Sequence, residues 1–297
     1  MEKRILLASP RGFCMGVARG VEMLGSALEK EKGTVYVRRE IVHNVLLTEY
    51  FKTRGAVFVD ELEEVPDGGT VVFSTHGVAP SVKSHAAQKN IKVIDATCPL
   101  VTKVHEQAVK FKNLNYEIIL IGVPEHPEVV GTMAHAPDNI YLIRDERDFD
   151  KLSEIDGSRV AWLSQTTLNF DSVKKIIDRL RKKFPSLADP PQSCICHATK
   201  KRQAAVKEIA AECDLFIVVG SENSSNTLRL AEVALEAGAK KVLRIDTPEE
   251  LESTDFSDVY IVGVTAGVSV TEEALTNVVG YLEQSGFNYT EESSSEK

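Results

Sequence analysis

Short apolar runs alternate with amphipathic segments along most of the chain. Eleven runs of four to six residues are rich in Val and Ile, which is typical of buried β-strands. These runs read RILLAS, TVYVRR, AVFVD, TVVFST, KVIDA, EIILIG, IYLI, RVAWLS, LFIVVG, KVLRID and VYIVGV. The segments between them have helical periodicity, for example at Val17–Lys30, Val101–Phe111, Ser172–Lys183, Thr199–Ala211 and Thr227–Ala237. This regular alternation predicts an α/β fold of parallel sheets flanked by helices.

Three cysteines divide this pattern into repeats. Cys14, Cys98 and Cys196 each come directly before a helical segment, and the next strand in each repeat ends in a polar residue. The residues 29, 28 and 28 positions after these cysteines are His43, His126 and Ser224. The residues that end a later strand in each repeat, at offsets of 62, 68 and 73, are His76, Thr166 and Ser269. The spacing therefore predicts one structural unit used three times.

The repeats set the expected domain organisation. We predict three α/β units at residues 14–97, 98–193 and 194–286, with the amino-terminal strand in residues 1–13 joining the third sheet. Ligands of open parallel sheets bind off the carboxyl ends of the strands, where the cysteines and polar residues lie. A pseudo-threefold arrangement of the units would bring them to one central cavity. The tail, residues 287–297, is polar and acidic, and we expect it to be disordered.

Charge and composition exclude several classes of partner. The chain of 297 residues has 44 acidic and 35 basic side chains, a net charge of −9, so a nucleic-acid partner or an anionic membrane surface is not expected. No apolar run reaches the length of a membrane span, and the amino terminus lacks the pattern of a signal peptide. We therefore expect a cytoplasmic protein.

The cysteines are candidates for a metal centre. Disulfides are unexpected for five cysteines in a reducing compartment. A cysteine at a helix start favours its thiolate form, and thiolates bind soft metals and iron–sulfur clusters. Three of them indicate a cluster or metal with one open position, although simple burial of small residues is the alternative. Cys194 lies two positions before Cys196 and is read as its neighbour, while Cys213 is read as a core residue.

The polar residues at the strand ends suit a phosphorylated ligand. Imidazole, hydroxyl and amide groups bind phosphate or diphosphate, and the candidates are His43, His76, His126, Thr166, Ser224, Ser225, Asn226 and Ser269. A carboxyl group beside His126 could relay protons, and spacing leaves both Glu125 and Glu128 open. The sequence has no Walker A motif or GxGxxG fingerprint, so bound flavin or nicotinamide is not supported and electrons are expected from outside.

Long segments of the chain resemble one family. PRGFCMGV, YVRREIVHN, STHGV, DATCPLVTKVH, HPEVVGTM, SQTTL, ICHATKKRQ, VGSENSSNTLRLAE and GVTAGVS are similar to the 4-hydroxy-3-methylbut-2-enyl diphosphate reductases, which end the methylerythritol phosphate route to isoprenoids. The matching segments run from residue 10 to about residue 270. The resemblance implies reductive dehydroxylation of an allylic diphosphate to isopentenyl and dimethylallyl diphosphate.

The resemblance also implies roles for individual residues. Cys14, Cys98 and Cys196 are expected to hold one [4Fe–4S] cluster whose open iron binds the substrate hydroxyl. Glu128, and not Glu125, is expected to deliver protons with support from Thr166 and His126. The diphosphate is expected at His43, His76, His126, Ser224, Ser225, Asn226 and Ser269. A ferredoxin or flavodoxin is the expected electron donor.

Two other functions fit part of the pattern. A non-catalytic iron–sulfur redox sensor would keep the cysteines and the phosphate pocket but would not need Glu128. A zinc hydrolase with cysteine ligands is a third possibility, which the absence of an adjacent motif such as HExxH disfavours.

Overall fold

The computed structural model describes residues 2–294, with the backbone alone for 290–294. The strands in this range are β1 Arg4–Ser9, β2 Val35–Arg38, β3 Ala56–Val59, β4 Thr70–Phe73, β5 Lys92–Asp95, β6 Glu117–Ile121, β7 Ile140–Ile143, β8 Val160–Ser164, β9 Leu215–Val219, β10 Val242–Ile245, β11 Ile261–Ala266 and β12 Asn288–Ser294. The helices are α1 Met15–Lys30, α2 Val45–Thr53, α3 Pro80–Gln88, α4 Pro99–Asn113, α5 Pro127–His135, α6 Phe170–Lys183, α7 His197–Ala210, α8 Ser225–Glu236 and α9 Glu272–Gln284. Short 3-10 helices cover Leu62–Glu64, Glu146–Leu152 and Pro248–Leu251.

These strands form three sheets, and all of their paired neighbours run parallel. The first sheet has the order β3-β2-β4-β5, the second β7-β6-β8 and the third β10-β9-β11-β1-β12. The predicted α/β fold of three small parallel sheets is confirmed, and each of the eleven predicted strands coincides with one of β1 to β11. No helix within the described residues is both long enough and apolar enough to span a bilayer.

The amino-terminal strand shows why these runs are apolar throughout. β1 pairs with β11, with Arg4 opposite Ile261, so it lies inside the third sheet, where the sequence analysis places it. Ile5 and Leu7 pack with residues of α9 in one apolar cluster, and Leu6 and Ala8 pack with residues of α7 and α8 in another. Because both faces of the strand are covered, its side chains do not alternate between apolar and polar.

The carboxyl-terminal segment differs from the prediction. The tail was expected to be disordered, but Asn288–Ser294 forms β12 and pairs in parallel with β1. Phe287 is buried at the edge of the core, and the backbone N–H of Asn288 donates to the carbonyl of Lys3. An edge strand is held by backbone hydrogen bonds and tolerates polar side chains, so composition alone gave the wrong result here. The rest of the predicted tail, 295–297, lies outside the described residues.

The chain divides into two compact units, whereas three α/β units were predicted. One unit holds the third sheet and contains the described residues up to Cys14, His43–Val45 and the described residues from His197 onward. The other unit holds the first and second sheets and contains Met15–Val42 and Leu46–Cys196. The boundaries predicted from the repeat at residues 97 and 193 remain predictions.

A glycine in the third sheet provides a test of its packing. We expect Gly263→Ala to lower the free energy of unfolding by about 1–3 kcal/mol, because overfilled cores force side chains to shift. A Cβ at Gly263 would lie 2.5 Å from Cδ2 of Phe216 and 2.6 Å from Sγ of Cys213. The matched control is Gly280→Ala on α9, where a Cβ meets nothing within 4 Å and stability should rise by up to ~1 kcal/mol. Urea unfolding of both variants measures the difference, and equal stability would contradict this packing.

Candidate active site and cofactor ligands

Each of the three repeated cysteines lies directly before a helix, as predicted. Cys14, Cys98 and Cys196 precede the first residues of α1, α4 and α7, and all three are partly exposed. The backbone N–H of Cys98 donates to the carbonyl of Thr75 at 3.0 Å, and that of Cys196 donates to the carbonyl of Thr166 at 3.1 Å. All three cysteines therefore lie at helix starts, where the first backbone N–H groups have no partner within the helix.

The other two cysteines have different surroundings. Burial, with a further contribution from the charge of Glu128, raises the pKa of Cys194 to about 11. Burial, followed by the charges of Glu212 and Asp214, raises the pKa of Cys213 to about 12. Both side chains are therefore neutral thiols near pH 7, which suits core residues better than metal ligands.

The chemistry of the three partly exposed thiols suits an iron–sulfur cluster, because thiolates are the ligands of such clusters. Within residues 2–294, no three His, Cys, Asp or Glu side chains lie close enough together to hold one metal ion. Partly exposed thiols at three helix starts are the donor set that such a cluster requires.

A buried carboxyl group and a hydroxyl form the core of the candidate site in one compact unit. Glu128 lies in the first turn of α5 and is 2% exposed. Its Oε1 accepts from the backbone N–H of Thr166 at 2.6 Å, and its Oε2 accepts from Oγ1 of Thr166 at 2.9 Å. Burial raises the pKa of Glu128 to about 7, although both hydrogen bonds from Thr166 act to lower it. This carboxyl group can therefore hold or release a proton near neutral pH.

Two histidines of the same unit lie near one another. His126 caps α5, and its Nδ1 accepts from the backbone N–H of Glu128 at 3.2 Å. A neutral His126 therefore carries its proton on Nε2, which becomes a donor. The rings of His126 and His76 meet edge to face, with centroids 5.6 Å apart. The structure thus brings together His76, His126, Glu128 and Thr166, which the sequence analysis selected.

The remaining predicted pocket residues lie in the other compact unit. Oγ of Ser269 donates to the carbonyl of His43 at 3.0 Å, and Nδ2 of Asn44 donates to the carbonyl of Ser269 at 2.7 Å. The backbone N–H of Val45 donates to Oγ of Ser221 at 3.3 Å. These contacts explain why His43–Val45 belongs with the third sheet, although the repeat assigns it to the first unit.

The start of α8 has buried polar groups and a close approach of the backbone. Oγ of Ser224 caps the helix by accepting from the backbone N–H of Thr227 at 3.3 Å. Asn226 is 3% exposed, and both polar atoms of its amide lack a hydrogen-bond partner within the described chain. A Cβ at Gly220 or Gly267 would come within 2.6 Å of Oγ1 of Thr227, so both strand ends need glycine at this helix. Helix starts with unpaired donors bind anions.

Two residues near these groups were missed by the sequence analysis. Oε1 of Gln165 accepts from the backbone N–H of Val123 at 3.0 Å, so the end of β8 holds the loop after β6. Oγ1 of Thr227 is fully buried without a hydrogen-bond partner in the described chain. In the sequence, Gln165 directly precedes Thr166 in QTT and Thr227 directly follows Asn226 in SSNT, and this adjacency was the one signal that could have identified them.

The chain is similar to known proteins both in sequence and in fold. The chain is 50% identical to the 4-hydroxy-3-methylbut-2-enyl diphosphate reductase of Rhodococcus opacus, over 97% of this chain and 85% of the relative. It is also 50% identical to the enzyme of that name from Acidothermus cellulolyticus, over 100% of this chain and 87% of the relative. The solved structure of E-1-hydroxy-2-methyl-but-2-enyl-4-diphosphate reductase from Plasmodium falciparum matches with a TM-score of 0.96 and 34% identity, covering 100% of this chain and 94% of that one.

A second solved structure, titled as the terminal enzyme of the non-mevalonate pathway, matches with a TM-score of 0.67 and 32% identity, over 95% of this chain and 99% of that one. The family model described as LytB protein matches residues 5–283, which include every residue selected for the candidate site. With this match and relatives at 50% identity over nearly its whole length, the chain belongs to the LytB protein family.

Proposed function

We propose that the chain reduces 4-hydroxy-3-methylbut-2-enyl diphosphate to isopentenyl diphosphate and dimethylallyl diphosphate. The carbon–oxygen bond of the hydroxyl breaks, two electrons and two protons enter, and water leaves. The names and the 50% identity of the curated relatives support this reaction. The structural observation that carries the proposal is the buried carboxyl group of Glu128 held against Thr166, because it can transfer protons near neutral pH.

We infer that Cys14, Cys98 and Cys196 would hold one [4Fe–4S] cluster. They lie at three helix starts and are partly exposed, and cysteine thiolates are the ligands that such a cluster needs. When bound, the cluster supplies the electrons and an iron without a cysteine ligand that acts as a Lewis acid on the hydroxyl. The electrons come from an external ferredoxin or flavodoxin, and the reaction takes place in the cytoplasm.

The diphosphate would bind at the start of α8. Ser224, Ser225 and Asn226 lie there, and the unpartnered amide of Asn226 supplies a donor whose burial is unfavourable until a ligand arrives. His43 and Ser269 are joined by a hydrogen bond in the same unit, and His76 and His126 offer imidazole donors. Groups of this kind donate hydrogen bonds that orient a diphosphate.

Proton delivery is assigned to Glu128. The hydroxyl of Thr166 can donate to the carboxylate and accept from the carboxylic acid, so the pair stays hydrogen-bonded in both states. The cap by His126 fixes the backbone at Glu128 and orients the imidazole. These three residues can therefore hold a proton, release it and recover it without rearranging the backbone.

We expect Glu128→Gln to lower kcat by about 100-fold or more, since the amide cannot deliver a proton. Iron and sulfide content should match the parent protein. The measurement is anaerobic oxidation of reduced viologen in the presence of the substrate. Glu125→Gln is the matched control, because Glu125 is exposed three positions earlier and should be neutral in effect. Normal turnover by the Glu128 variant would remove this carboxyl group from the mechanism and favour a ligand-binding sensor.

The raised pKa of Glu128 predicts the direction of the pH dependence. A proton donor works in its protonated form, which predominates below a pKa of about 7 and is lost above it. We therefore expect kcat to fall by roughly tenfold per pH unit above pH 7. The pH profile of kcat checks this, and a profile that stays flat to pH 9 would contradict the assignment.

We expect Asn226→Ala to raise KM by roughly tenfold to a hundredfold, the effect of losing one hydrogen bond to a charged group. The urea midpoint should change little, because the amide has no partner to lose within the described chain. Thr265→Val is the matched control, since Oγ1 of Thr265 is also buried without a partner but lies within β11. An unchanged KM in the Asn226 variant would exclude this amide from diphosphate binding.

A further inference from the structure

A buried arginine on α7 holds the loop that carries Cys14. Arg202 is 4% exposed, and its Nη2 donates to the carbonyl of Gly12 at 2.7 Å and to that of Phe13 at 3.3 Å. The same nitrogen lies 3.5 Å from the carbonyl of Arg11. Three consecutive carbonyl groups before Cys14 therefore lie around one guanidinium group, whose several N–H donors in one plane suit contacts with more than one carbonyl.

The helices that follow the other two proposed ligands also carry a basic residue in their second turn. Arg19 lies five residues after Cys14, and its Nη1 donates to the carbonyl of Thr97 at 3.1 Å, directly before Cys98. Lys103 lies five residues after Cys98, and its Nζ donates to Oε1 of Gln192 at 3.2 Å, in the loop before Cys196. Arg202 lies six residues after Cys196.

These contacts follow the order of the repeats. The helix after Cys14 holds the residue before Cys98, the helix after Cys98 holds the loop before Cys196, and the helix after Cys196 holds the loop before Cys14. Arg202 is thus one position later in its helix than Arg19 and Lys103 are in theirs, and Lys201 occupies the matching position. Three basic side chains, each directed at the loop before the next cysteine, indicate a shared purpose.

We propose that Arg19, Lys103 and Arg202 are positioning residues, each fixing the ligand loop of the next repeat, and that Arg202 also sets the reduction potential of the cluster. This inference rests on the proposed cluster. Outer groups that orient metal ligands determine how firmly the metal is retained. Arg202 should have the largest effect on iron retention, because it is the most buried of the three and contacts three carbonyl groups of the loop before Cys14.

The charge of Arg202 has a second consequence. Reduction adds negative charge to a cluster that already carries three thiolates, and a cation fixed near a ligand favours the reduced state. The sequence contains no acidic residue from Ser9 to Val21 or from Pro190 to Lys207, the two segments that hold Cys14 and Arg202, and the carboxylate of Glu272, which lies beside this loop, is paired with Arg11 at 3.5 Å. Arg202 therefore raises the reduction potential.

The test compares Arg202→Gln and Arg202→Lys with the parent protein. We expect Arg202→Gln to lose iron to a chelator ~10-fold faster or more, and its midpoint potential in an EPR-monitored titration should move to more negative values. Arg202→Lys keeps the positive charge but lacks the planar set of guanidinium donors. This variant should therefore lose iron quickly, while its midpoint potential stays closer to the parent value. Lys201→Gln, an exposed neighbour with the same loss of charge, is the control and should behave as the parent.

A measurement without the cluster separates this inference from the proposed function. In the iron-free protein, the amides of residues 12–14 should exchange hydrogen faster in both Arg202 variants than in the parent. A parent protein that binds no iron would contradict the proposed function. The exchange rates would still test whether Arg202 fixes the loop before Cys14. Exchange rates, iron loss and potentials equal to those of Lys201→Gln would overturn the inference.

Discussion

In each of the three sheets, parallel pairing sends the carboxyl end of every strand to the same edge, so the residues that follow the strands are collected there by the backbone. His76 follows β4, Thr166 follows β8 and Ser269 follows β11. The helices that return the chain start near those edges, which gives each cysteine a helix start. Each sheet therefore provides such an edge, and the described chain has three of them.

The part of this arrangement that disfavours folding is the burial of polar groups. A carboxyl group at 2% exposure is unfavourable in its charged form, and two hydrogen bonds from Thr166 offset part of that cost. The amide of Asn226 has no such compensation within the described chain. Burial thus does opposite things at the two sites: at Glu128 it sets the protonation state, whereas at Asn226 it leaves hydrogen-bonding capacity for a ligand.

Periodicity and spacing were sufficient for much of the fold and for the selection of candidate residues. The eleven apolar strands and the helix starts at the cysteines follow from local patterns that burial enforces. Contacts made through the backbone could not be predicted from the sequence. β12 is held by pairing with β1, and Arg202 acts on carbonyl groups 190 residues away in sequence. His43–Val45 lies with the third sheet through a hydrogen bond to Ser269, which no spacing records. The choice of Glu128 over Glu125 as the proton donor required the resemblance to a family, because both residues lie near His126 in the sequence.

The position of β1 bears on how the protein assembles during synthesis. β1 is made before the other described strands, yet its neighbours in the sheet are β11 and β12, the last two of them along the chain. Arg4 pairs with Ile261 and Asn288, so this sheet has high contact order and cannot close before β11 and β12 have been made. Cys14 follows β1 by five residues. The loop that carries Cys14 is therefore among the last of the described parts to become fixed, so insertion of the proposed cluster would be a late event, after the first and second sheets have had time to form.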